Sequence, residues 1–322
     1  MALEFTKPEA KSWACENLKG FYECPITPFK PDLSLDEAGI RENIEAYVEM
    51  GIPGLVVGGN VAEGWNLKLS DWIRYHEIIA DANKGRIKLW TIILDHSVHQ
   101  ALEKMDRLQD IGFEGAEVMN PPFQLKSDDE IYEYFKYMAD HSDLAIMLYR
   151  TPVAGKLMGI DLMKRISDLD TVVGMKQGSI IQGDTARVRN AMRKDIVISE
   201  PLEYFVLDDL RVGGQVMWAN FCYIAFGKQR ANMKAYFDLA IAGDFDAARK
   251  KWLLVRPAGA LFEEIMVTWI INTGSYASAI PYMKAWFEMI GLNAGGILPP
   301  VKAIDDKGRE WLNGKLLEAG II

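Results

Sequence analysis

Lys176 stands at the end of an apolar run, Thr171-Val-Val-Gly-Met175. A lysine there has two readings. Its stem can lie along a strand while the ammonium reaches solvent. Alternatively the amine is desolvated, and desolvation favours the neutral form that attacks a carbonyl carbon and forms a Schiff base. Tyr149 ends another apolar run, within Leu148-Tyr-Arg-Thr-Pro152. A phenol beside an imine can move protons, whereas an isolated tyrosine is as readily a core residue with a satisfied hydroxyl. Gly58-Gly-Asn-Val-Ala-Glu-Gly64 follows a further apolar run. Small residues there let backbone N–H groups face inward as a nest for a carboxylate, or they make an ordinary glycine turn.

Other reactive side chains point elsewhere. His96 and His99 follow Asp95 at a spacing two metal ligands could share, but no third ligand stands at a convincing distance. They read as residues at a helix start, and His76 and His141 as structural. Cys15, Cys24 and Cys222 are sparse and odd in number, which gives neither a disulfide framework nor a zinc pattern. Reduced cysteines in a cytoplasmic protein are expected. The glycine turn matches no dinucleotide or phosphate loop, and there is no nucleophile-elbow serine.

These groups need elements that bring strand ends together. Strands are predicted at Phe21–Thr27, Gly54–Gly58, Ile87–Ile93, Gly115–Met119, Leu144–Tyr149, Thr171–Met175, Ile196–Ser199 and Gln215–Ala219. Their hydrophobicity is continuous, as for strands covered on both faces. Helical patterns separate them. Ser34 with Glu37, and Ser127 with Glu130, read as capping boxes. This alternation predicts an α/β chain, a (β/α)8 TIM barrel, with an open doubly wound sheet as the alternative. Residues 1–235 would form the barrel with a short N-terminal helix, and residues 236–322 a C-terminal helical segment. The aromatic and methionine side chains of that segment, among them Trp252 and Trp286, suit a core or an oligomer contact.

The net charge of −9 argues against nucleic acid or an anionic membrane as the main partner. Neither a secretory signal nor a membrane span is expected, since the first residues carry charges and no apolar run is long enough.

The strand-end motifs occur in an order that resembles the dihydrodipicolinate synthase / N-acetylneuraminate lyase family. They are Thr27-Pro-Phe29, Gly59-Asn-Val-Ala-Glu63, Leu148-Tyr-Arg-Thr-Pro152 and Gly174-Met-Lys176, with Gly214 through Asn220 similar to the eighth-strand segment. The resemblance spans the whole chain. It implies a (β/α)8 barrel, a homotetramer or dimer, that joins a lysine to a 2-oxo acid such as pyruvate and makes or breaks a bond to an aldehyde. The Schiff-base role carries onto Lys176 and proton movement onto Tyr149. Carboxylate binding carries onto Gly59, Asn60 and Val61. No metal or organic cofactor is implied.

The departures narrow the expectation. The family's glycine-threonine-threonine-glycine-glutamate reads glycine-asparagine-valine-alanine-glutamate here, so hydroxyls that relay protons are lost. Phe123 stands where relatives often carry a tyrosine, and Ala154 near the place of the arginine that binds a second carboxylate in dihydrodipicolinate synthases. Pro152-Val-Ala-Gly-Lys156, Phe123 and Trp218 are more similar to the hydratase-aldolases acting on benzylidenepyruvates. The expected function is therefore a lyase joining pyruvate and an apolar or aromatic aldehyde, with Phe123 and Trp218 around the aldehyde. A 2-oxo-3-deoxy sugar-acid lyase or dehydratase, and a barrel that only binds a 2-oxo acid, are the alternatives.

Overall fold

The structure is a computed structural model that describes residues 3–179, 181 and 183–322. Eight parallel strands form one sheet: β1 Gly20–Glu23, β2 Gly54–Val57, β3 Lys88–Ile93, β4 Gly115–Met119, β5 Ala145–Arg150, β6 Val172–Gln177, β7 Val197–Ser199 and β8 Val216–Asn220. Their order is β7-β6-β5-β4-β3-β2-β1-β8, and helices alternate with them in sequence. The strands at the two ends of that order are tied by a side chain. The Ser199 hydroxyl donates to Val216 O at 2.9 Å and accepts from Trp218 N at 3.0 Å. The fold is the expected (β/α)8 TIM barrel, followed by C-terminal helices.

The chain divides into two compact units. The first comprises Met1–Tyr22, Pro53–Val56 and Lys88–Ala219 and so holds nearly all of the sheet. The second comprises Glu23–Ile52, Val57–Ile87 and Asn220–Ile322. It holds the helices Glu37–Glu49 and Leu69–Asn83 and the C-terminal helices. The helix Arg230–Ile241 runs across residue 235, where the sequence predicts the start of the C-terminal segment.

Residues on the sheet explain its interior. Trp218 stacks on Tyr22 with centroids 4.9 Å apart and meets the edge of Trp90 at 4.8 Å. All three rings are buried and belong to the first unit. Ser127 and Glu130 form the predicted capping box, each answering the other's backbone N–H. Ser34 and Glu37 do not. The helix starts at Glu37, and the Asp36 carboxylate caps it by accepting from Gly39 N. Ser34 is held by Asp32, and Glu37 pairs with Arg74. An aspartate directly before the first helical residue outcompetes a serine two positions earlier.

Glu23 ends β1 with no exposed surface. One carboxylate oxygen accepts from Ile224 N at 3.1 Å and the other has no hydrogen bond. Burial pushes this carboxyl up to about 8. The folded state then holds the proton more tightly than the unfolded chain, so this group's contribution to stability falls as pH rises from about 4.5 to about 8. Glu23→Gln should flatten that dependence and gain on the parent at the alkaline end. Denaturation midpoints measured across the window check this, and parallel curves for parent and variant would contradict it.

Candidate active site

The Gly174-Met-Lys176 segment lies inside β6. Gly174 is required by a close approach, since a Cβ there would sit 2.4 Å from Val197 O and 2.8 Å from Met147 Sδ. Lys176 is in register with Tyr149 on β5 and Ser199 on β7, and Tyr149 with Met119 on β4. These positions lie at the C-terminal ends of their strands, where (β/α)8 barrels carry their chemistry.

Lys176 is 8% exposed. Its Nζ donates to Ala219 O at 3.0 Å and lies 4.6 Å from the centroid of the Tyr149 ring. Ala219 has φ +50°, a left-handed conformation that residues with a Cβ seldom adopt. That kink at the end of β8 accompanies the carbonyl's contact with the amine. Nζ is also 3.6 Å from Glu117 Oε1, within ion-pair range but too long for a hydrogen bond.

Glu117 sits in the middle of β4 with no exposed surface. Its Oε2 accepts from Trp218 Nε1 at 2.8 Å, while Oε1 has no hydrogen bond. Burial pushes the carboxyl up, and Lys176 and Trp218 oppose this by favouring its charged form. Glu117 lies outside the motifs that mark the other site residues. The signal was there, because a glutamate inside Gly115-Ala-Glu-Val-Met119 is a buried carboxylate in need of a partner.

Beyond Tyr149 the strand end is pinned. The Arg150 guanidinium donates to Asp184 Oδ2 at 2.6 Å, to Gln177 Oε1 at 2.9 Å and to Met158 O at 2.8 Å. Asp184 also accepts from Ser179 and Arg187. Although burial opposes it, these donors hold the Asp184 carboxyl well below the usual range. The network joins β5 and β6 just past the residues that carry the reactive groups.

Trp218 has no exposed surface and reaches Lys176 through Glu117. Phe123, in the loop after β4, is 75% exposed, with its ring edge-on to His96 at 6.5 Å. The two rings expected around the aldehyde therefore have different surroundings. His99 lies in the helix Val98–Ile111 against Tyr137, at 5.8 Å. Among the described residues, no cluster of three or more His, Cys, Asp or Glu side chains could hold a metal.

In the second unit, the turn after β2 is built tightly. A Cβ on Gly64 would sit 2.0 Å from Gly58 O. Gly59 and Val61 are buried and Asn60 is half-buried. The Asn60 carbonyl accepts from Glu63 N and Trp65 Nε1. Glu63, itself at φ +59°, anchors the turn. Its Oε1 accepts from Lys284 Nζ at 2.9 Å and its Oε2 from Leu298 N at 2.8 Å. Lys284 is 2% exposed and also donates to Gly296 O. Burial pushes the Lys284 amine down, and Glu63 opposes this. Thr27 of the Thr27-Pro-Phe29 motif donates from its hydroxyl to Ala62 O at 2.6 Å. Lys284 was not identified from sequence, because it lies 221 residues from its partner. Removing one member strands a buried charge, so Glu63→Ala or Lys284→Ala should each cost about 3–5 kcal/mol. Chemical denaturation would measure this, and a loss below about 1 kcal/mol would contradict it.

The sequence profile described as "Dihydrodipicolinate synthetase family" matches residues 17–319. The 4-hydroxy-tetrahydrodipicolinate synthase of Methanothrix thermoacetophila is 30% identical over 301 residues, covering 92% of this chain and 96% of that one. The solved dihydrodipicolinate synthase of Oceanobacillus iheyensis superposes with a TM-score of 0.83 at 19% identity, covering 97% of this chain and 100% of that one. Proteus mirabilis N-acetylneuraminate lyase gives 0.81 at 16% identity, covering 95% and 100%.

Proposed function

The chain belongs to the dihydrodipicolinate synthetase family, and on that premise we propose that Lys176 forms a Schiff base with pyruvate and that an apolar or aromatic aldehyde is the other reactant. The observation that carries the first part is the Lys176 amine, buried at the end of β6 beside Tyr149, Ala219 O and Glu117. The Nζ lone pair attacks C2 of the 2-oxo acid. The carbonyl oxygen takes up protons and leaves as water, and the resulting imine is protonated. In cleavage, the C4 hydroxyl gives up its proton and its O–H pair forms the aldehyde C=O, while the C3–C4 bonding pair moves to form C2=C3 and the C=N pair returns to nitrogen, giving an enamine. Condensation is the reverse. Tyr149 moves the protons, through water where the family's hydroxyl chain is missing. The resemblance to the family carries the binding of the 2-oxo acid's carboxylate onto Gly59, Asn60 and Val61. A homotetramer or dimer is the proposed assembly.

The aldehyde preference rests on the loops after β4 and β5. These loops meet, since a Cβ on Gly155 would lie 2.7 Å from Pro122 O. They expose Phe123 and Val153, while Ala154 supplies no charge. The nearby cations are engaged: Lys126 donates to Pro122 O and Lys156 to Asp128 Oδ1, each at 2.6 Å. A second substrate carboxylate would lack a bidentate partner there, and sugar hydroxyls would lose hydration with little in return. The names of the relatives favour a second reading, a condensation like that of the 4-hydroxy-tetrahydrodipicolinate synthases.

Incubation with pyruvate and borohydride should add the mass of reduced pyruvate to the Lys176 peptide, and Lys176→Ala should lose both label and turnover. Labelling elsewhere, or an active Lys176→Ala enzyme, would overturn the Schiff-base assignment. With pyruvate, kcat/KM for a benzaldehyde-type acceptor should exceed that for glyceraldehyde or aspartate semialdehyde by about 10-fold or more. Preference for glyceraldehyde would favour the sugar-acid lyase, preference for aspartate semialdehyde the synthase, and labelling without any turnover a barrel that only binds.

A further inference from the structure

We propose that Glu117 is the counter-ion of the protonated imine, a positioning residue that keeps the Lys176 nitrogen cationic until the substrate bond breaks. This rests on Lys176 being the Schiff-base lysine. The imine nitrogen is Nζ itself, and Nζ lies 3.6 Å from Glu117 Oε1. Trp218 Nε1 holds the other carboxylate oxygen at 2.8 Å, which fixes the group's orientation without neutralising it. Among the described residues Oε1 has no hydrogen-bond partner, and the carboxylate is wholly buried, so its charge is poorly screened.

The separation suits this role. A carboxylate in a short hydrogen bond to the amine would hold the ammonium form and hinder attack. At 3.6 Å the lysine donates to Ala219 O instead, and Glu117 acts through its charge. When C2=N accepts the bonding pair, the nitrogen loses its positive charge and the carboxylate stays in place. No oxidant or further reactant is needed.

Lys176 on β6 is the charge that acts on Glu117, the Tyr149 ring on β5 lies 4.6 Å from its Nζ, and Tyr22 on β1 is stacked behind Trp218. Strands β7 and β8 carry no ionisable side chain, nor do residues 54–56 or 89–93. Lys176 is therefore the cation Glu117 faces.

Glu117→Gln removes the charge and keeps an acceptor for Trp218. The assay is exchange of the pyruvate C3 protons in deuterated water, followed by NMR, which requires imine and enamine but no aldehyde. A neighbouring opposite charge shifts such a titration by about one unit or more. The alkaline limb of the exchange profile should therefore move to lower pH by about that amount in Glu117→Gln. The loss should reach about 10-fold on the alkaline side and narrow toward acid. Glu117→Asp should restore the limb in part. Borohydride should still label Lys176 in every variant. An unchanged Glu117→Gln profile, or a loss equal at all pH values together with a lowered melting temperature, would overturn the proposal. Failure of the parent to label at Lys176 would overturn the Schiff-base reading and the counter-ion with it.

Discussion

A lysine amine has to be buried at the strand ends with its nitrogen held in place, and the rim of this barrel is built around that constraint. Lys176, a residue 8% exposed, donates from Nζ to Ala219 O. The local departures from ideal geometry follow from it. Ala219 adopts a left-handed conformation at the end of β8, and Gly174 leaves room for Met147 and the Val197 carbonyl two residues before the lysine. Strain of this kind, typically about 1–3 kcal/mol, persists only where the surroundings over-determine it. Here the Arg150–Asp184–Gln177 network, just beyond Tyr149 and Lys176, supplies part of that support.

Among the described residues there are two buried lysine–glutamate pairs, and their geometries differ in a way that separates structure from chemistry. Glu63 and Lys284 meet in a direct hydrogen bond. Both carboxylate oxygens accept hydrogen bonds, and the ammonium also reaches Gly296 O. Such a pair fixes the turn after β2. Glu117 and Lys176 are held apart at 3.6 Å, with one carboxylate oxygen unsatisfied. An incompletely satisfied buried pair is costly as structure, which is the physical reason to seek its use in the reaction.

Much of the fold was legible because strands covered on both faces leave continuous apolar runs. All eight predicted strands overlap the observed ones, and the chief errors lie at their ends. β6 runs on to Gln177, so Lys176 sits within the strand rather than after it. The cap at Ser127 was readable because its partner Glu130 is local, whereas at Ser34 a nearer competitor, Asp36, was overlooked. Lys176 and Tyr149 were visible as reactive side chains at strand ends. Trp218 is placed at the aldehyde by the resemblance alone, and its burial against Glu117, Tyr22 and Trp90 depends on contacts between strands far apart in sequence. Glu117 is masked in the sequence by the apolar majority of its strand, and Lys284 by its distance from Glu63 along the chain.

The account turns on a covalent bond at one atom. A crystal structure of the protein grown with pyruvate would show it directly. The prediction is continuous density from Lys176 Nζ to C2 of the 2-oxo acid, with the Glu117 carboxylate still beside that nitrogen. Pyruvate bound intact, or joined to any other lysine, with Lys176 Nζ still on Ala219 O, would contradict it.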